Sequence, residues 1–148
     1  MFNRRYQAEA LTRLHALFEL NQARLLRWLP RTAPLGAMVT CTLATGPVRL
    51  ILVEQSPYSD VVAVTVAPSG PQWMTPLRLQ VRRYHDAGMS EMIDWCGERS
   101  VPWRLLARQP QLARDEKMQW NSFLAELLAE VSRHGRATAV ARSADLLQ

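Results

Sequence analysis

Near the amino terminus, Leu11, Leu14, Phe18, Leu25, Trp28 and Leu29 recur at helical spacing. That pattern predicts an amphipathic helix from about Gln7 to Leu29. Pro30 should end it, because the residue before a proline is pushed out of the α region. Asn21 falls inside the apolar stripe, where an unpartnered buried amide costs roughly 1–3 kcal/mol. A hydrogen bond to a second helix or to a sheet is therefore expected of it. Beyond the loop at Thr32 to Gly36 the period changes from 3.6 to 2. Three β-rich runs follow, Met38 to Thr45, Val48 to Gln55 and Ser59 to Ala67, separated only by Gly46-Pro47 and Ser56-Pro57-Tyr58. Connections that short exclude helical crossovers and predict an antiparallel meander. In the middle run, Val48, Leu50 and Leu52 face one way and Arg49, Ile51 and Val53 the other. Both sets are largely apolar, so cover beyond one helix layer is expected, from a homodimer contact or from the carboxyl-terminal tail.

Leu77 to Trp95 reads as a β-hairpin, and it holds the densest polar chemistry of the chain. Leu77, Leu79 and Val81 alternate with Arg78, Gln80 and Arg82, the signature of a strand with one dry side. The turn is His85-Asp86-Ala87-Gly88. There Asp86 can bond its own backbone, and Gly88 accepts a positive φ. Pro68 to Pro71 reads as a surface turn. Val101 to Leu106 reads as a short further strand that Pro102 confines to an edge. Gln109-Pro110-Gln111 is expected to break the chain before a last helix carrying Trp120, Phe123, Leu124, Leu127, Leu128 and Val131 on one face. Asp115 and Glu116 suit its amino-terminal end, Arg133 and His134 its carboxyl-terminal end, and Gly135 its stop. The expected fold is α+β: about five antiparallel strands flanked by an N-terminal and a C-terminal helix, with both helices on one sheet face. Residues 1–135 form a single domain in this reading, and residues 136–148 a mobile or peripheral tail.

Composition changes this picture little. At 148 residues, 48% hydrophobic and 21% charged, the chain is an ordinary globular domain that needs no metal or disulfide staple. Cys41 and Cys96 lie in no zinc or redox spacing and are expected as reduced, buried thiols of a cytosolic protein. No secretory apolar region and no run approaching the ~20 apolar residues of a membrane span is present. Charge adds more. The net charge is +5, and every cationic side chain but Lys117 is arginine, a planar fork suited to carboxylate or phosphate. The arginines are dispersed, which weakens a nucleic-acid role.

Candidate chemistry gathers around the hairpin. Tyr84-His85-Asp86 is a candidate polarised histidine, since a carboxylate beside imidazole fixes its tautomer. The alternative is a surface histidine beside an Asx-type turn. Glu54 closes an apolar strand and is the least expected carboxylate; Glu91, Asp94, Asp115 and Glu116 are the others considered. Arg78 and Arg82 share a strand face about 13 Å apart, with Arg49 on a nearby strand, and such a row could grip successive phosphates. Trp73, Trp95 and Trp103 are stacking candidates or core. The ligand-binding candidates are thus Arg78, Arg82, Tyr84, His85, Asp86 and Glu54, with Asn21, Asp115 and Glu116 secondary. No metal and no cofactor is expected, because His15, His85 and His134 have no ligand spacing with one another. No nucleophile elbow, phosphate loop or dinucleotide fingerprint occurs.

Several motifs together resemble a known family. Glu19-Leu20-Asn21 is followed by Leu29-Pro30-Arg31, Val53-Glu54 with Tyr58, Val81-Arg82, and Tyr84-His85-Asp86-Ala87 with Glu91. Arg114-Asp115-Glu116-Lys117, Asn121, Phe123-Leu124 and His134-Gly135 complete the set. In this order and spacing, from about Leu14 to Gly135, they resemble the YqiB-like family of uncharacterised bacterial proteins. The resemblance implies a cytoplasmic bacterial protein and transfers no catalytic residue; family members are often encoded near nucleotide-hydrolysing enzymes. The leading functional expectation is a small cytosolic binding or regulatory module, dimeric, engaging an anionic ligand or protein partner through Arg78, Arg82 and His85. The rivals are an enzyme acting on a nucleotide or phosphorylated small molecule, with His85 and Glu54 or Asp86 as acid and base, and sequence-tolerant RNA binding through the arginines. No membrane association is expected.

Overall fold

The alternation of apolar and polar residues is realised as six antiparallel strands. The computed structural model describes residues 2–44, 46–67, 76–96, 110–134 and 136–142. In chain order the elements are α1 (Phe2–Trp28), β1 (Ala37–Leu43), β2 (Gly46–Gln55), β3 (Ser59–Val66), β4 (Leu77–Tyr84), β5 (Met89–Cys96), α2 (Pro110–His134) and β6 (Arg136–Arg142). The sheet order is β5-β4-β3-β2-β1-β6. Strands β1 to β5 are the expected meander, and the fold is α+β with a helix from each end of the chain. The stretch after Gly135, expected as a mobile or peripheral tail, supplies β6, whose first partners are Thr42↔Arg136 and Cys41↔Ala137 at the edge of β1.

Register decides which side chains share a face. Leu50 pairs with Val64, Val62 with Val81 and Val64 with Leu79, and Val81 with Met92. These residues form one buried core with Val39, Cys41, Val48 and Leu52, and the same core includes Leu25 of α1, Leu29 just beyond its end, and Leu124, Leu128 and Val131 of α2. Both helices therefore cover one face of the sheet, called inner below. Burial also pushes the Cys41 thiol up from its ordinary value, so this free cysteine is no ready thiolate. On the outer face Val53 stays 39% exposed. The described part of the tail, Arg136–Arg142, extends the sheet edge at β1 and does not lie across β2.

Helix ends follow local chemistry. Leu29 N–H donates to Leu25 O at 2.9 Å, the last helical bond before Pro30. The second helix departs from expectation. It begins at Pro110 with no acidic residue in its first turn, so Asp115 and Glu116 do not sit at its amino-terminal end. The physical reason is that proline is well suited to a first helical turn, where its missing N–H costs nothing and its φ is already helical. Pro110 thus opens the helix and does not merely break the preceding chain. Glu116 instead accepts from Trp120 Nε1 at 3.0 Å.

Asn21 makes the expected interhelix bond: its Nδ2 donates to Asn121 O at 3.2 Å. Asn121 in turn uses Oδ1 to accept the Met92 N–H at 3.0 Å, joining α1, α2 and β5 at one point. The expected turn at Pro68 to Pro71, the strand at Val101 to Leu106, Trp73 and Trp103, and the side chains of Trp95, Cys96, Asp115 and His134 lie outside the described residues.

Candidate functional site

Alternation along β4 places Leu79, Val81 and Arg83 on the inner face, so an arginine follows two core residues into the protein. Arg83 is 0% exposed. Its register partner on β3 is Asp60, which alternates with Val62 and Val64 onto the same face. The two meet as a bidentate ion pair: Nε donates to Oδ1 at 2.6 Å and Nη2 to Oδ2 at 2.8 Å. The remaining nitrogen, Nη1, donates to Leu29 O at 2.5 Å, one of the carbonyls that α1 leaves unsatisfied at its end. A buried charge needs this degree of satisfaction, because desolvating an ion costs several kcal/mol unless partners replace water.

One residue beyond the end of β4, His85 joins the same carboxylate. Its backbone N–H donates to Tyr58 O at 2.9 Å, which locks the hairpin end to the β2–β3 turn. Its Nε2 lies 2.8 Å from Asp60 Oδ2. A carboxylate paired with arginine only accepts, so Nε2 carries the proton. On the other side Gln22 Nε2 lies 3.3 Å from Nδ1 and donates to it, and Gln22 Oε1 accepts from Ser90 Oγ. A chain of bonds thus runs Asp60–His85–Gln22–Ser90 through β3, the hairpin turn, α1 and β5. The imidazole is 5% exposed and the Asp60 side chain 2%.

Above this floor lies an open pocket of about 390 Å³, walled by Arg31, Gln55, Ser56, Pro57, Asp60 and His85. Its parts come from the loop after α1, the end of β2, the β2–β3 turn and the hairpin. Gln55 is held by donating Nε2 to Ala33 O at 3.1 Å. Arg31 is exposed and enters no ion pair among the described residues. A second concavity, about 510 Å³, lies where Arg24 of α1 meets Glu126, Glu130 and Arg133 of α2. It has no buried polar floor. Its two arginines are already engaged: Arg24 donates to Ala125 O at 2.7 Å, and Arg133 lies 4.0 Å from Glu130.

The candidates read from sequence divide between the two faces. Arg78, Arg82 and Tyr84 alternate onto the outer face, away from His85. Arg82 lies 3.9 Å from Glu54 and 3.5 Å from Ser59 Oγ. Glu54 would follow Val48, Leu50 and Leu52 inward, but the register slips between Leu52 and Glu54, pairing Glu54 with Val61 and sending it outward. Asp86 accepts the Ala87 N–H at 3.0 Å as an exposed turn residue, so the carboxylate on His85 is Asp60. Asn21 is an interhelix residue, and Glu91 pairs with Lys117. Gly88 has the expected positive φ, 66°. Sequence reasoning missed Asp60, Arg83, Gln22, Ser90 and Arg31 as site residues. The available signal was parity: Asp60 and Arg83 are charged residues on the apolar repeat of their own strands. Among the described residues no three His, Cys, Asp or Glu side chains gather as a metal site, and no helix is long and apolar enough to cross a membrane.

Among the described residues, a six-stranded antiparallel sheet with two helices on one face and a buried Arg–Asp–His corner under a small pocket defines an α+β fold. The chain belongs to the family described as "Protein of unknown function (DUF1249)", matching it over residues 24–137. Among its relatives is the uncharacterized protein YqiB of Escherichia coli strain K12, 35% identical over 125 residues that cover 80% of this chain and 86% of the relative. YqiB of strains O6:H1 and O157:H7 stands at the same identity and coverage. The family resemblance carried by the motifs is thereby shown. No solved structure matches the chain.

Proposed function

We propose that this protein is a small cytoplasmic binding module whose pocket at the His85 corner takes an anionic ligand. The observation that carries the reading is the charge arrangement around the pocket. Asp60, the one carboxylate in its wall, is already neutralised by the bidentate Arg83, while Arg31 at the rim has no ionic partner among the described residues. An entering anion therefore meets an unspent guanidinium and no uncompensated negative charge. The volume is at the small end of ligand sites, in keeping with a metabolite-sized group. Both ring nitrogens of His85 are satisfied within the chain, which favours binding over acid–base catalysis, since a general base needs a free nitrogen within reach of the ligand.

A thermal-shift screen tests this with nucleotides, phosphorylated metabolites, small carboxylates and short RNAs. A true ligand at about 100 times its Kd stabilises the fold by about 2.7 kcal/mol. The expected result is a shift in the wild type and in Arg82→Ala, absent in Arg31→Ala. A ligand that shifts Arg31→Ala as much as the wild type overturns the pocket reading. Loss of the shift in Arg82→Ala alone would move the site to the outer face.

A further inference from the structure

The pocket floor holds a feature that simple anion binding does not use: the Gln22 amide stands between His85 Nδ1 and Ser90 Oγ, and an amide can exchange donor for acceptor by turning over in place. As arranged, Gln22 Nε2 donates to a bare Nδ1. Rotation about its terminal bond puts Oε1 against Nδ1 and Nε2 against Ser90 Oγ. The same side chain, in the same volume, then accepts from a protonated Nδ1 and donates to the serine oxygen, whose own proton swings aside. Asp60 accepts from Nε2–H in either state. The corner is therefore built to hold both the neutral imidazole and the imidazolium without leaving a buried ring nitrogen unpaired.

Charge decides when the second state is wanted. The groups facing His85 are Asp60 from β3 and Arg83 from β4, which cancel each other, and Arg31 across the pocket. Gln22 from α1 and Ser90 from β5 are uncharged, Ser56 and Pro57 of the β2–β3 turn carry no charge, and Asp86 is exposed in the hairpin turn. A singly charged anion is matched by Arg31 alone. A doubly charged one leaves one negative charge uncompensated above a nearly buried ring.

We propose that the pocket takes a doubly charged oxyanion of the phosphoryl type, and that His85 takes up one proton from solvent onto Nδ1 as that group binds, with the Gln22 amide turning over to accept it. This rests on the anion-binding reading above and adds the ligand's charge class and its coupling to a proton.

The test uses the full chain, uniformly ¹⁵N-labelled so that both the histidine ring nitrogens and the backbone amides are observed, held at one pH above neutrality, with sulfate as the dianion and acetate as the monoanion. Sulfate should move the His85 Nδ1 resonance to the protonated position and perturb the Arg31 and Ser56 amides, with both effects lost in Arg31→Ala. Acetate should perturb the amides and leave the ring unchanged. Sulfate affinity should fall about tenfold per unit rise in pH, the slope of one linked proton. In Gln22→Glu a carboxylate stands where the amide was, so Nδ1 is protonated before sulfate is added and the proton uptake vanishes. Amide shifts with an unchanged ring and a flat pH profile would overturn this proposal and leave the anion pocket standing. No response of Arg31 or Ser56 to either anion would overturn both.

Discussion

Arg82 and Arg83 are neighbours in the chain and opposites in the fold. Arg82 leaves the outer face of β4, remains 29% exposed and stands 3.9 Å from Glu54, itself 58% exposed. Arg83 leaves the inner face, is fully buried, and spends its guanidinium on Asp60 and Leu29. The chemistry is the same and the surroundings are not. In water an ion pair trades hydration for a contact of nearly equal worth, so exposed pairs contribute at most about 1 kcal/mol. Inside, each partner is needed because the other is already there, and removing either leaves an unpaired buried charge. An arginine is thus a structural member or a solvated surface charge according to which side of a pleat it occupies.

That contrast can be broken most forcefully at the carboxylate. Asp60→Ala should cost about 3–5 kcal/mol in urea unfolding, because Arg83 stays buried without its partner and His85 loses its acceptor. Combining Asp60→Leu with Arg83→Met should do less damage than the sum of the two single changes, by about 2 kcal/mol in a double-mutant cycle, since no lone charge remains inside. Gly88→Ala probes the turn that sets His85 at the end of β4. A Cβ there meets nothing within 4 Å, so the cost is the positive φ alone, about 1–2 kcal/mol. Arg82→Ala should lower stability by no more than about 1 kcal/mol. Arg31→Ala should change it by less than about 0.5 kcal/mol while abolishing ligand-induced stabilisation. An Arg82→Ala loss as large as that of Asp60→Ala would sink the comparison.

The meander, the two helices and the hairpin turn were legible because each is written in local period: 3.6 in Leu11 to Leu29 and Trp120 to Val131, 2 in the strands, and Gly88 where φ must be positive. Two element boundaries were not. Pro110 looks like a breaker, yet serves as a first helical residue. Arg136 to Arg142 has few large apolar side chains and so shows no clear period of 2, and its pairing with β1 is set by the long-range return of the chain. The site was half legible. His85 stood out by type, but its carboxylate was sought next door at Asp86 when it lies 25 residues back at Asp60, a distance that only strand register closes. Glu54 was misplaced by a single slipped residue, since one bulge reverses every facing that simple alternation assigns.

The amide of Asn121 carries a consequence for how copies of the protein behave at high concentration. By taking the Met92 N–H of β5, the marginal strand of the sheet among the described residues, it occupies a backbone donor that a stray strand would otherwise use. Growth of the sheet by recruitment of foreign chain is thereby hindered at β5. An Asn121→Leu protein should therefore polymerise sooner on mild heating than a variant destabilised equally elsewhere in the core.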